Sequence, residues 1–100
     1  AEPILGEGGI VEVPREWLLR LKVPGVPLIM DEIQTGLGRT GAFLVSAGVT
    51  ADYYLFGKAL GGGVAKVSAV AIERQHYCPA FDEMRASTFS DDAFSAEVGK

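Results

Sequence analysis

Trp17, Leu18 and Leu21 recur at helical spacing just after Pro14. The pattern predicts a helix over 14–22, opened by a proline whose missing N–H costs nothing in a first turn. Trp17 is the expected anchor of that helix. Pro24, Gly25 and Pro27 end it. Leu28-Ile29-Met30 is a short unbroken apolar run, which predicts a strand buried on both faces. The stretch 34–41 contains three glycines and reads as a loop, and 42–47 reads as a helical turn. Tyr53 to Phe56 is a second apolar strand, with both tyrosines packed in the sheet, followed by Lys58 and a bend at Gly61-Gly62-Gly63. A third strand over 67–72 returns after a short connection, so it should run antiparallel to its predecessor. A surface helix is expected over 73–81. Ser90-Asp91-Asp92 supplies a cap and an acidic first turn for another helix. Alternating strand and helix signals indicate an α/β layer fold.

Composition narrows this further. One hundred residues with 48% hydrophobic content suit a single unit over 1–100 with no internal boundary. Ala1-Glu2-Pro3 reads as the tail of a strand, and the last predicted helix is barely established at Lys100, so a piece of a longer protein is expected. The net charge of −4 and scattered basic residues argue against nucleic acid as a partner. Cys78 is the single cysteine, which excludes an internal disulfide and fits a reducing compartment. No apolar run approaches membrane-spanning length, and a cytoplasmic protein without a membrane partner is the expectation.

The candidate chemistry sits at strand ends, where open α/β sheets collect their ligands. Asp31 ends the first apolar run, and Lys58 follows the second. Each alone is readily a turn residue or a solvated charge. Together they present a carboxylate and an amine on one sheet edge. Four blocks surround them: Glu2-Pro3-Ile4-Leu5-Gly6-Glu7-Gly8-Gly9, then Asp31-Glu32-Ile33-Gln34-Thr35-Gly36-Leu37-Gly38-Arg39-Thr40-Gly41, then Gly57-Lys58-Ala59-Leu60-Gly61-Gly62-Gly63, then Ser87-Thr88-Phe89. In order and near-family spacing these blocks resemble the class III (ω-type) aminotransferases, which are pyridoxal-phosphate enzymes of fold type I.

The resemblance implies part of a large cofactor-binding domain, built on a mostly parallel sheet with one antiparallel strand and helices on both faces. Pyridoxal 5'-phosphate is the implied cofactor, an electron sink for the charge left when a Cα proton departs. Asp31 would keep the ring nitrogen protonated, since an opposite charge at close range raises such a pKa by roughly 1–3. Lys58 would form the Schiff base and then move the Cα proton. Ile33 matches the apolar residue on one ring face, and Gln34 the partner of the ring hydroxyl. Ser87 and Thr88 match the block whose hydroxyl reaches the cofactor phosphate of a neighbouring subunit, which implies a homodimer with shared sites. Glu7 matches a position that pairs with a substrate-gating arginine. Glu2 would brace a strand end, and Arg39 would hold its own loop. The implied reaction moves an amino group between an amine or amino-acid donor and a keto or aldehyde acceptor. An aminomutase, decarboxylase or racemase would share these residues. The phosphate loop, the second ring-stacking residue and the substrate arginine have no match here, so residues 1–100 alone should neither turn over substrate nor hold cofactor tightly.

Other readings are weaker. Gly36-Leu37-Gly38-Arg39-Thr40-Gly41 satisfies the dinucleotide fingerprint, but Asp31 to Thr35 separate it from its strand, and no acid ends the next strand. Leu28-Ile29-Met30-Asp31-Glu32 imitates an ATPase strand, yet the chain has no phosphate-binding G-x-x-x-x-G-K-[ST]. His76 and Cys78 have no neighbour in sequence at metal-ligand spacing and read as incidental, so no metal is expected. Three departures from the family pattern are the short stretch from Trp17 to Pro27, Ala65-Lys66-Val67-Ser68 in place of a proline, and Ser90-Asp91-Asp92-Ala93-Phe94 in place of Gly-Gly-Asn-Pro-Leu. The last two resemble variants associated with polyketide and non-ribosomal peptide synthesis. They add an acyl-carrier domain to the partners the resemblance allows and put an ordinary ornithine- or aminobutyrate-type substrate in doubt.

Overall fold

The computed structural model describes residues 1–84 and 92–100. A hairpin comes first: β1 (Ile4–Leu5) pairs antiparallel with β2 (Val11–Glu12), with Ile4 opposite Glu12 and Leu5 opposite Val11. Its turn is Gly6-Glu7-Gly8-Gly9, and Gly9 takes φ +102°, a region that glycine enters without penalty. The hairpin is absent from the sequence-based expectation, because two-residue strands are too short to show an alternating pattern.

The principal sheet has the order β3 (Ile29–Asp31), β4 (Tyr53–Phe56), β5 (Ala69–Ile72). β3 and β4 are parallel, with Asp31 opposite Leu55, and β4 and β5 are antiparallel, with Phe56 opposite Ala69. On the other edge of β3, the Ala1 ammonium donates to the Ile29 carbonyl at 2.6 Å, and the Asp31 N–H donates to the Ala1 carbonyl at 2.7 Å. That is the slanted pattern of a parallel neighbour. A mixed sheet is therefore present, with one parallel and one antiparallel strand pair among the described residues.

Leu18, Leu28, Met30, Val49 and Ala51 form the buried core, with Val13 and Tyr54 packed against it. Fully burying a side chain of the size of Met30 stabilises by roughly 1.5–3 kcal/mol. The Tyr54 hydroxyl donates to the Val49 carbonyl at 2.6 Å and accepts from the Ala51 N–H at 3.1 Å, so this half-buried ring carries no unsatisfied polar atom.

Several elements differ from expectation. The first helix, α1, covers only Arg15–Arg20, and a helix this short turns a single residue inward. That residue is Leu18, while Trp17 is 64% exposed and not part of the core of these residues. Within these residues Met30 is fully buried and Ile29 is 45% exposed, so one face of β3 is covered by this segment and the other is left open by it. Residues 42–47 make bends and a turn, with no helix. The Arg15 guanidinium donates to the Ala47 carbonyl at 2.5 Å and lies across Gly48, where a Cβ would fall 2.3 Å from its Nη2. The helix expected over 73–81 is divided into a 3-10 turn at Arg74–His76 and a short helix, α2, at Ala80–Met84. Pro79 lies between them and disfavours helical backbone in the residue before it. The last helix, α3, runs over Ala93–Val98 with Asp92 as N-cap. The Ser95 hydroxyl donates to Asp92, holding its carboxyl below the usual range, and accepts from the Lys66 N–H at 2.9 Å.

Asp52 ties the end of the sheet where β4 begins. Its carboxylate accepts from the Lys22 ammonium and from the Leu28 N–H at 2.6 Å, and His76 Nε2 lies 2.8 Å from it. Its backbone bonds Leu28, ahead of β3, and Glu73, after β5. The Lys22 hydrogen bond, reinforced by the Leu28 N–H, outweighs burial and lowers the Asp52 pKa from 3.8 to about 2. A folded pKa below the unfolded one stabilises above the unfolded value, and that contribution is lost as pH falls through the folded one. In the intact protein, the difference in urea midpoint between wild type and Asp52→Asn should shrink as pH falls from about pH 4 to about pH 2. A difference independent of pH would contradict this account.

Candidate functional site

Where β3 and β4 end, the sheet presents its chemistry. The Asp31 carboxylate, half-buried, accepts the Ile33 N–H at 3.0 Å, an Asx-type turn that folds the chain back immediately after the strand. Gln34 follows in that turn, and its Oε1 accepts a hydrogen bond from Lys58 Nζ at 2.8 Å. Two strand ends separated by 24 residues in sequence are thereby joined side chain to side chain. Asp31 and Lys58 form no ion pair with each other among the described residues. Lys58 opens a 3-10 turn over Lys58–Gly61 and takes φ +43°. A non-glycine residue held there carries strain of about 1–3 kcal/mol.

Two glycines clear the space. A Cβ on Gly57 would lie 3.2 Å from Ile33 Cγ2, and one on Gly6 would lie 1.9 Å from Gln34 Nε2. Ile33 thus packs on the backbone just before Lys58, and Gln34 packs on the β1–β2 turn. Sequence reasoning passed over both glycines as site-shaping residues, although Gly6 and Gly57 stand in the blocks that carry the resemblance. Glu7, on the same turn as Gly6, is exposed and makes no hydrogen bond or ion pair among the described residues. Glu2 accepts from the Gly6 N–H at 3.4 Å, bracing that turn. The Arg39 side chain makes no hydrogen bond or ion pair among the described residues, so its loop is held by other groups. Ser87 and Thr88 lie outside the described residues.

The fingerprint stretch 36–41 forms consecutive turns and opens no helix, which removes the geometry a dinucleotide pyrophosphate needs. His76, in contrast, is not incidental. It sits between Asp52 and Glu73, and one ligand atom from each of the three lies within 4.8 Å of the others. The Lys22 ammonium already occupies the same Asp52 oxygen that faces His76, so the cluster is a charge-compensated clasp. Nothing in the local sequence signals it, because Asp52 and His76 meet only when β4 and β5 pair.

An amine, an amide carbonyl and a carboxylate on one edge, with glycines beside them, are the donor set a substituted pyridine aldehyde requires. The aldehyde suits the amine, the ring hydroxyl the amide, and a protonated ring nitrogen the carboxylate. The residues present fit such a group.

Residues 1–99 match the family model described as aminotransferase class-III. The ornithine aminotransferase of Brevibacillus brevis is 41% identical over 97% of this chain and 26% of its own length. That of Bacillus subtilis is 48% identical over 74% of this chain and 20% of its own length. The chain spans about a quarter of the length of the curated relatives it matches. Among solved structures, a transaminase from the marine bacterium Virgibacillus superposes with TM-score 0.79 over 99% of this chain and 25% of its own, at 27% identity. Ornithine aminotransferase from Plasmodium yoelii gives 0.67 over 73% and 21%, at 40% identity. The mixed sheet is accordingly that of a fold type I α/β enzyme, and the chain belongs to the class-III aminotransferases.

Proposed function

We infer that this chain is a central piece of the large cofactor-binding domain of a pyridoxal-phosphate aminotransferase. The contact between Lys58 and Gln34, beside the Asp31 turn, carries the reading. Open apolar residues of the sheet such as Ile29 and Val70 fit a piece whose faces the rest of that domain covers. When bound, the cofactor supplies an aldehyde for a lysine amine and a cationic ring that draws electrons from the substrate Cα. Asp31 would hold the proton on the ring nitrogen. Gln34, now hydrogen-bonded to Lys58, would bind the ring hydroxyl, and Ile33 would supply the apolar contact to the ring. Lys58 Nζ would take the proton from the substrate Cα and deliver it to the carbon that was the cofactor's aldehyde, the shift that moves the amino group.

The amino donor is a small amine or amino acid and the acceptor a keto acid or aldehyde. The relatives named ornithine aminotransferase, and the diaminobutyrate–2-oxoglutarate aminotransferase of Rhizobium meliloti, which is 42% identical over 74% of the chain, favour a diamino acid as donor. By the resemblance, the hydroxyl of the Ser87-Thr88 block, which lies outside the described residues, would serve the phosphate of a neighbouring subunit in a homodimer, and Glu7 would pair with a substrate-gating arginine. The acyl-carrier association rests on the unusual residues 90–94, of which Ser90 and Asp91 lie outside the described residues. No helix among the described residues is long and apolar enough to cross a membrane, and the reading is of a cytoplasmic enzyme. In the intact protein, ornithine should convert the absorbance of bound pyridoxal phosphate to that of the amine form, and 2-oxoglutarate should reverse it. A protein that binds the cofactor but shows no such exchange with any diamino or amino-acid donor would refute the transaminase reading.

A further inference from the structure

Glu32 follows Asp31 at the end of β3, and none of the roles above uses it. It is 1% exposed, a burial that carboxylates rarely reach without a paired cation. Among the described residues no ion pair involves it. Its Oε1 accepts from the Ser46 N–H at 2.8 Å and the Ser46 hydroxyl at 2.6 Å, and its Oε2 accepts from the Thr35 hydroxyl at 2.5 Å. The backbone is fastened too, with the Glu32 N–H donating to Leu55 of β4 at 3.0 Å and the Glu32 carbonyl accepting from Gly36 at 2.9 Å. One residue therefore locks the strand end, the turn that follows it, and the far side of the loop where it returns at Ser46.

Burying a carboxylate costs several kcal/mol unless its hydrogen bonds are complete, and closing a loop does not require one. Its immediate neighbours in sequence are Asp31, Ile33 and Gln34. We propose that Glu32 is a positioning residue for cofactor recognition. By clamping Thr35 and Ser46 it fixes the turn that holds the Asp31 carboxylate on the Ile33 N–H, the Ile33 side chain against Gly57 and the Gln34 amide on Lys58. This role rests on the function proposed above.

The test uses the intact protein and its Glu32→Ala, Glu32→Gln and Thr35→Val variants. Three quantities are measured: the dissociation constant of pyridoxal phosphate, the pH at which the bound chromophore changes colour, and the melting temperature of the cofactor-free protein. Glu32→Ala should weaken cofactor binding about 10- to 100-fold and displace the colour change. Glu32→Gln keeps an oxygen for Ser46 and can donate to the Thr35 hydroxyl, so it should bind within about 3-fold of wild type. Thr35→Val removes only the Oε2 contact. It should weaken binding about 3- to 10-fold, which keeps the test open if Glu32→Ala does not fold. Variants that melt earlier but match wild type in cofactor affinity and colour change would overturn the positioning role alone. Wild type that binds no pyridoxal phosphate would overturn the proposed function together with it.

Discussion

Replacing Lys58 by alanine in the intact protein is expected to lower turnover by about 10³-fold or more, because in the proposed function one amine would both attach the cofactor and carry the Cα proton. Lys58 is exposed, and Gln34 is the partner of its ammonium, so the substitution removes little packing. The melting temperature of the cofactor-free protein should change far less than the rate. Borohydride followed by peptide mass spectrometry should leave the cofactor's mass on the peptide containing Lys58 in wild type and on no peptide of the variant. Retention of more than about a tenth of the wild-type rate would contradict the general acid–base role.

Asp31→Asn is expected to cost roughly 10- to 1,000-fold in turnover. The amide keeps an oxygen for the Ile33 N–H, so the turn survives, and only the negative charge is lost. Without it the ring nitrogen's pKa falls by roughly 1–3, and each unit is a tenfold change in the protonated fraction once pH exceeds that pKa. The sign follows from the species involved: the protonated ring is the working form, so the variant should recover activity as pH falls while its cofactor affinity changes less. Turnover within about 3-fold of wild type across that range would remove Asp31 from the role.

The sequence disclosed the parts of this site that are local. Leu28-Ile29-Met30 followed by Asp31, and Tyr53 to Phe56 followed by Lys58, placed two strand ends correctly, since unbroken apolar runs ending in a charge survive without tertiary information. The antiparallel return of β5 was legible from the short connection before it. What escaped depended on contacts distant in sequence. Glu32 looks like a surface acid until Ser46 folds back on it. His76 looks idle until β4 and β5 pair and bring Asp52 to it. Trp17 looked like the anchor because size suggested burial, whereas the orientation of a six-residue helix gave that place to Leu18. The β1–β2 hairpin was hidden by strands too short to show a period, although Gly6 to Gly9 marked its turn.

Asp52 joins Lys22, Leu28 and His76 at one end of β4, and Lys58 stands beyond the other. Stability and chemistry are thus separated along the strand axis. A change at the Asp52 end acts first on the register of β3, β4 and β5, and a change at the Lys58 end acts on the proposed chemistry. That separation also directs engineering: substitutions intended to alter stability belong around Asp52, and those intended to alter the proposed chemistry belong around the ends of β3 and β4, with Gly6 and Gly57 kept.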